Sequence, residues 1–287
     1  MTITQMRPGT QAPQGRVVPA SGAAYWLSAA LALVSAVAGA VTFFVPGVLT
    51  GPAAMNGSAR GTAFVLLFVA VPLMAGAMWA AARGSVRAVL AWLGAVGYVL
   101  YNSVMFLFAT PFNRLFPVYV AMLSLALWTV LALLSVLDRT SLRSRFLPSL
   151  PARGIAVYVW VMVALNALAW LGRIVPALFA ARPTDLLDGT GLTTNPVYVQ
   201  DLAFWLPLMA VAAIWLWRRQ TWGFVVVGSV LALWVLESIG VAVDQWFGQA
   251  ADPASTVASA TMVWAFALLA LVGTVPLVLF YRNVSEA

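Results

Sequence analysis

Residues 222–247 read WGFVVVGSVLALWVLESIGVAVDQWF. The run is long enough to cross a bilayer, whose hydrocarbon core takes about 20 apolar residues in a helix. It carries two acids, Glu237 and Asp244, seven residues apart. Seven residues is close to two helical turns, so both side chains project from one face. A charged side chain at the bilayer centre costs on the order of 2.5–3.5 kcal/mol even on the milder insertion scale. The rest of the chain can be read by asking what these acids face.

The chain has 287 residues, of which 63% are hydrophobic and 8% charged. A soluble domain carries about 25% charged residues, so the fold class is all-α, a polytopic helical membrane protein. There is no cysteine and no histidine. That excludes disulfides, thiolate metal sites and the imidazole proton shuttle. All fifteen basic residues are arginine. The absence of lysine excludes Schiff-base chemistry and a lysine nucleophile, and arginine with abundant alanine points to a GC-rich bacterial genome.

Residues 1–22 are polar and rich in Pro, Gly and Gln, the composition of a disordered tail. Eight apolar spans follow, at about 23–46, 61–82, 88–110, 115–137, 155–180, 198–217, 222–247 and 257–281. Pro111, Asn113, Arg114 and Pro117 mark a tight polar hairpin between spans three and four. With the N-terminus inside, the inner segments hold eleven arginines: Arg7, Arg16, Arg83, Arg87, Arg139, Arg143, Arg145, Arg153, Arg218, Arg219 and Arg282. The outer loops hold Arg60, Arg114 and Arg182, and Arg173 lies within span five. The asymmetry predicts a multi-pass protein of the bacterial plasma membrane with both termini cytoplasmic. It also explains the net charge of +7 without nucleic acid. The basic cluster at 139–153 reads as an anchor that could also meet anionic lipid headgroups.

Span two contains PLMA at 72–75, followed by Arg83, and span six contains PLMA at 207–210, followed by Arg218. Both offsets are 135. The chain therefore reads as a tail (1–22), a first four-helix half (23–140), a basic linker (141–153) and a second half (154–287). Four spans per half is an even number, so the halves would share one orientation, related by an axis along the membrane normal. Residues 64–103 and 199–238 share eight identities in forty, so the order of features argues for duplication more than identity does. In this register Asn102 aligns with Glu237, and Ser103 with Ser238. Pro72 and Pro207 lie mid-span and are expected to kink their helices.

The polar residues inside the spans lie toward the outer side. They predict a cavity lined by Asn102, Asn166, Arg173, Asp201, Glu237 and Asp244, with Tyr98 and Tyr101 beside Asn102. Arg173 is the expected counter-charge of Asp201 or Glu237, and Asp244 a group at the rim. The alternative is structural: one Arg–acid pair with amide hydrogen bonds can simply lock helices together. Trp26, Trp205, Trp217, Trp222 and Trp246 fall near span ends, as an aromatic belt does. Asp185 and Asp188 in the loop 181–197 read as solvated acids. No nucleotide, phosphate, nucleophile or metal motif is present, and no cofactor is implied.

The runs ARGTAFVLLFVAVPLMAGAMWAAARGS (59–85), WLGAVGYVLYN (92–102), FNRLFPVYVAMLSLAL (112–127) and NPVYVQDLAFWLPLMAVAAIWLWRRQTWG (195–223) resemble a group of actinobacterial polytopic membrane proteins with no assigned activity. The resemblance implies the topology and the paired halves, and lends no chemistry to any residue. Three functions remain open on the sequence. The first is binding or transport of a small or lipidic solute between the halves. The second is a membrane-embedded enzyme using Glu237 as general acid on an isoprenoid-like substrate, with Asp244 or Asp201 as charge stabiliser. The third is an accessory subunit. Partners are the bilayer and a lipophilic or small-molecule ligand.

Overall fold

The computed structural model describes residues 22–286; the expected tail, apart from Gly22, lies outside them. Eight helices are long and apolar enough to span a membrane: α1 (Ala23–Phe44), α2 (Ala53–Ala82), α3 (Val86–Phe108), α4 (Phe116–Val136), α5 (Ala152–Leu178), α6 (Pro196–Trp217), α7 (Thr221–Ala251) and α8 (Ala260–Arg282). Among the described residues there is no strand, only an isolated antiparallel bridge between Phe146 and Val284. The polar hairpin 111–117 forms as expected: the Asn113 side chain accepts from Leu115 N at 2.8 Å and donates to Pro111 O at 2.9 Å.

Two boundaries differ from the expected ones by four residues or more. Helix α2 begins at Ala53 and α7 runs on to Ala251. The added stretch of α2, AAMNGSAR, is too polar to read as a span, but its small residues let two backbones meet. A Cβ on Gly57 would stand 2.5 Å from Phe247 O, and one on Gly61 would stand 2.6 Å from Asp244 Cα. Ser58 Oγ donates to Asp244 O across the same seam at 3.3 Å. Gly57 and Gly61 thus form a small-x-x-x-small strip on which the second half of α7 lies.

Helices α3 and α7 are the centre of the assembly. Trp92, Tyr98 and Leu90 of α3 are fully buried, and Trp92 Nε1 donates to Ser28 Oγ of α1 at 3.0 Å. A Cβ on Gly94 would stand 2.6 Å from Ser229 O of α7. Helix α1 also packs on α4, where the Thr42 and Tyr119 hydroxyls share a hydrogen bond of 2.8 Å. Helix α5 is more peripheral. It packs along α6, with Trp160 Nε1 donating to Ala210 O at 3.1 Å.

Pro72 and Pro207 are each preceded by a π-helical turn, at Leu66–Ala70 and Asp201–Trp205. Proline supplies no N–H, so a carbonyl one turn earlier lacks its donor; widening that turn accommodates the ring within a continuous helix. The two π turns are 135 residues apart. So are the turns that follow: Ser85 N bonds Ala80 O at 3.2 Å, and Gln220 N bonds Trp215 O at 2.8 Å. The left-handed position is Gly84 (φ 95) in the first and Arg219 (φ 53) in the second.

The arginines gather at the α2–α3, α4–α5 and α6–α7 connections. Arg219 donates to Pro148 O and Leu150 O at 2.9 and 2.7 Å, and Arg143 donates to Arg219 O at 2.8 Å. Asp138 caps the short helix Arg139–Arg145, accepting from Thr140 N at 2.9 Å. Arg139 and Arg153 lie over the Trp222 and Trp217 rings. The segment after α8 runs beside 145–147, with Leu147 N donating to Asn283 O and Ser285 N to Arg145 O. Glu286 then caps α3, accepting from Val86 N at 2.9 Å and Arg87 N at 3.1 Å.

Candidate functional site

Glu237 lies near the middle of α7, 16 residues from Thr221 and 14 from Ala251. At ~1.5 Å per residue it is about 24 Å from the first end and about 21 Å from the second, deeper than a helix ending at Phe247 would put it. Its Oε2 accepts from Asn102 Nδ2 at 3.0 Å. Asn102 is buried on α3 and also donates to Tyr98 O at 3.1 Å. The two residues aligned by the 135-residue offset therefore touch each other. One turn further along α7, Gly240 makes room for the Tyr98 ring: a Cβ there would stand 3.0 Å from the Tyr98 hydroxyl. That hydroxyl is buried and has no hydrogen-bond partner.

Asp201 forms a second node. It opens the π turn of α6 and is buried. Its Oδ2 accepts from Trp170 Nε1 of α5 at 2.8 Å, and Tyr101 of α3 lies beside the same carboxylate. Three helices thus meet on one acid. Aromatic rings surround it. Trp170 lies 5.0 Å from Tyr198, and Tyr101 6.0 Å from Trp205. Trp205 Nε1 donates to Gln200 Oε1 at 3.3 Å, while the buried Gln200 Nε2 has no partner.

The remaining expected site residues fall elsewhere. Asp244 sits on the α2–α7 seam, with its carboxylate accepting from Gln245 Nε2 at 3.0 Å, and Gln245 Oε1 accepting from Ser259 N. Asn166 is half-buried on α5, one turn from Trp170, with its Oδ1 lacking a donor. The expected pairing of Arg173 is not formed. Arg173 is exposed near the end of α5, and the ion pairs among the described residues are Arg87–Glu286 and Arg182–Asp185. Five residues from its helix end, the long Arg173 side chain can reach the interface, where its charge stays solvated. The acids in the core of the bundle are held by neutral donors alone.

Trp205 also departs from its expected place in the belt. Its ring lies 3.9 Å from where a Gly97 Cβ would be, inside the contact between α6 and α3. Trp170, Gln200 and Tyr198 were not singled out from the sequence. A usable signal was present for Trp170, an indole N–H in mid-span one turn from Asn166, which needs an acceptor when buried.

Two cavities open at the end of the bundle opposite the arginine-rich α2–α3, α4–α5 and α6–α7 connections. One, of about 480 Å³, is lined by Pro52, Asp188, Gly189, Gly191, Asp252, Ala254, Ser255 and Thr256. The other, of about 240 Å³, is lined by Ile174, Pro183, Leu186, Leu187, Thr193, Thr194, Asn195, Tyr198 and Val199. Among the described residues no three His, Cys, Asp or Glu side chains group as metal ligands. No family model, curated protein or solved structure matches the chain. The molecule is an integral membrane protein of eight apolar helices that carry three carboxylates within their length, Asp201 buried and Glu237 and Asp244 half-buried.

Proposed function

We propose that this protein binds a small solute in its polar layer, at Glu237 and Asp201, and passes it across the bacterial plasma membrane, with the arginine-rich end cytoplasmic. The observation that carries the reading is the Asn102–Glu237 hydrogen bond, 3.0 Å long and near mid-helix. A helix lock does not account for it. Interhelical hydrogen bonds in membranes average about 0.6 kcal/mol and reach about 1.7. A mid-membrane carboxylate costs on the order of 2.5–3.5 kcal/mol. A lock made this way leaves a deficit, and no arginine offsets it. Carboxylates satisfied only by neutral donors keep their affinity for an incoming group.

The repeat supports the same reading. In two parallel halves related by an axis along the membrane normal, equivalent residues close to that axis face each other. Asn102 meets Glu237, and Gly94 meets Ser229, both pairs 135 apart. We infer a duplication whose axis runs between α3 and α7, the position at which transporters built from repeats hold their solutes.

The test compares wild-type protein with Glu237→Gln and Asn102→Ala, purified in the same lipid. The amide oxygen introduced by Glu237→Gln can still accept from Asn102, so folding is preserved. Small molecules extracted from each are identified by mass spectrometry. A solute held by wild type and lost from both variants supports the reading. Identical extracts from all three would sink it.

A further inference from the structure

The entrance to the Asp201 node is built where the two halves differ. Shifted by 135, the first eight residues of α2 (53–60) correspond to 188–195, DGTGLTTN. In α2 these positions are helical and carry the start of the glycine seam with α7. In the second half they are a loop, with Gly189 at φ 78 and Gly191 at φ 68, and α6 begins only at Pro196. A sequence of Gly, Thr, Asp and Asn lacks helix propensity and favours turns. Helix α6 is thereby shortened by about two turns, and both cavities are lined by the residues that replace them.

The smaller cavity ends at Tyr198, three residues before Asp201 on α6. Tyr198 lines it and packs on Trp170 at 5.0 Å, and Trp170 Nε1 holds the Asp201 carboxylate at 2.8 Å. One pair of rings stands between the cavity and the acid. The chemistry of this passage is selective. An anion would meet a carboxylate with no basic residue bonded to it. A hard metal cation requires about six oxygen ligands, whereas here a single carboxylate stands among aromatic side chains, with its Oδ2 already accepting from Trp170. An organic ammonium group suits both: the carboxylate takes its charge, and the neighbouring aromatic side chains take its hydrocarbon surface. The unpartnered Asn166 Oδ1, one turn from Trp170 on α5, supplies an acceptor for a further N–H.

We propose that the solute is a small organic cation bearing an ammonium group, admitted through the cavity beside Tyr198 and bound at Asp201 between Trp170 and Tyr101. The proposal rests on the solute-binding reading above and names its substrate class. The test uses three probes that share one ring: 2-phenylethylammonium, 2-phenylethanol and phenylacetate. Each is titrated by calorimetry into the full-length protein in lipid nanodiscs, with empty nanodiscs as the reference. The ammonium probe is expected to bind about tenfold or more tighter than the alcohol, the difference between a charge-assisted and a neutral contact. Phenylacetate is expected not to bind. Asp201→Asn should erase the preference. Trp170→Phe, which keeps a ring and removes the indole N–H, should weaken the ammonium probe selectively. Equal binding of the three probes, binding of none, or a preference unchanged in Asp201→Asn would overturn the proposal. The two readings fail separately. A neutral or anionic solute lost from Glu237→Gln refutes the cation and keeps the solute site. Ammonium binding that needs Asp201, in a protein whose extracts match those of Glu237→Gln and Asn102→Ala, keeps the cation site and refutes Glu237 as part of it.

Discussion

Replacing Gly61 by alanine should loosen the molecule, although alanine is the better helix former. A Cβ on Gly61 would stand 2.6 Å from Asp244 Cα and 2.8 Å from Val243 O. Both are backbone atoms that no rotamer change can move. Restoring an ordinary contact of 3.4 Å requires α2 and α7 to part locally by about 0.8 Å, in interiors packed as densely as organic crystals. Overpacking of this kind costs about 1–3 kcal/mol, and a rigid neighbour belongs at the upper end. The gain in helix propensity is about 1 kcal/mol, leaving a net loss of about 1–2 kcal/mol. Gly61→Val lacks most of that gain and adds two methyl groups, so its loss should be larger. Gly76, on the same helix with nothing within 4 Å of where a Cβ would stand, is the control: Gly76→Ala keeps the propensity gain alone. Thermal unfolding in one detergent, followed by circular dichroism, reads all three. The expected order of midpoints is Gly76→Ala at or above wild type, then Gly61→Ala, then Gly61→Val. If Gly61→Ala and Gly76→Ala shift the midpoint equally, the α2–α7 seam is not a close contact and the argument fails.

Two other tests address the arginine-rich end. Glu286 accepts from Ser85 Oγ and from the Val86 and Arg87 N–H groups; Glu286→Ala should lower the thermal midpoint and speed hydrogen exchange in the first turn of α3, and unchanged exchange there would show that the contact does not hold in solution. Asp138 is held below the ordinary carboxylate range, first by the Ser141 hydroxyl and then by the Ser141 and Thr140 N–H groups. A folded value below the unfolded one means that its contribution is complete at neutral pH and lost as pH falls through the carboxylate range. Asn caps helices as well as Asp and does not titrate there, so Asp138→Asn should match wild type at neutral pH and lose less of its midpoint under acid. Parallel acid profiles would refute this.

The eight spans were legible because twenty-residue apolar runs have few alternatives. The equal depth of Asn102 and Glu237 was legible too, from an offset fixed by PLMA and arginine, but their contact was not: the sequence pointed to Arg173 as the partner of the acid, and equal depth alone does not bring two helices together. The start of α2 was hidden for a physical reason. Hydropathy measures affinity for lipid, and residues 53–60 face another helix, where small size counts and apolarity does not. Arg173 misled because a span was treated as uniformly buried; a long side chain near a helix end reaches the interface and needs no acid. Trp170 and Trp205 were missed or placed in the belt because tryptophan serves both interfaces and buried acceptors. Only the partner distinguishes them, here Asp201 and Gln200.

On the duplication proposed above, the chemistry of the second half follows from where it departs from the first. The π turn at Leu66–Ala70 opens on a buried leucine, and its counterpart opens on Asp201. Position 57 is a glycine against α7; its counterpart, Leu192, lies in the loop. Identical halves would close the bundle on both sides of α3 and α7 with apolar turns and small-residue seams, leaving no acid and no entrance. In this chain one side keeps the tight seam and the other carries a shortened helix, a carboxylate at the π turn and a ring pair in front of it. Restoring the seam on the second side tests that account. Substituting 188–195 by the residues of 53–60 would extend α6 toward α3 and fill both cavities. The protein should then fold with a higher midpoint and lose solute binding, with Asp201 itself unchanged. A variant that folds, keeps its eight helices and binds as before would show that the asymmetry is not the entrance.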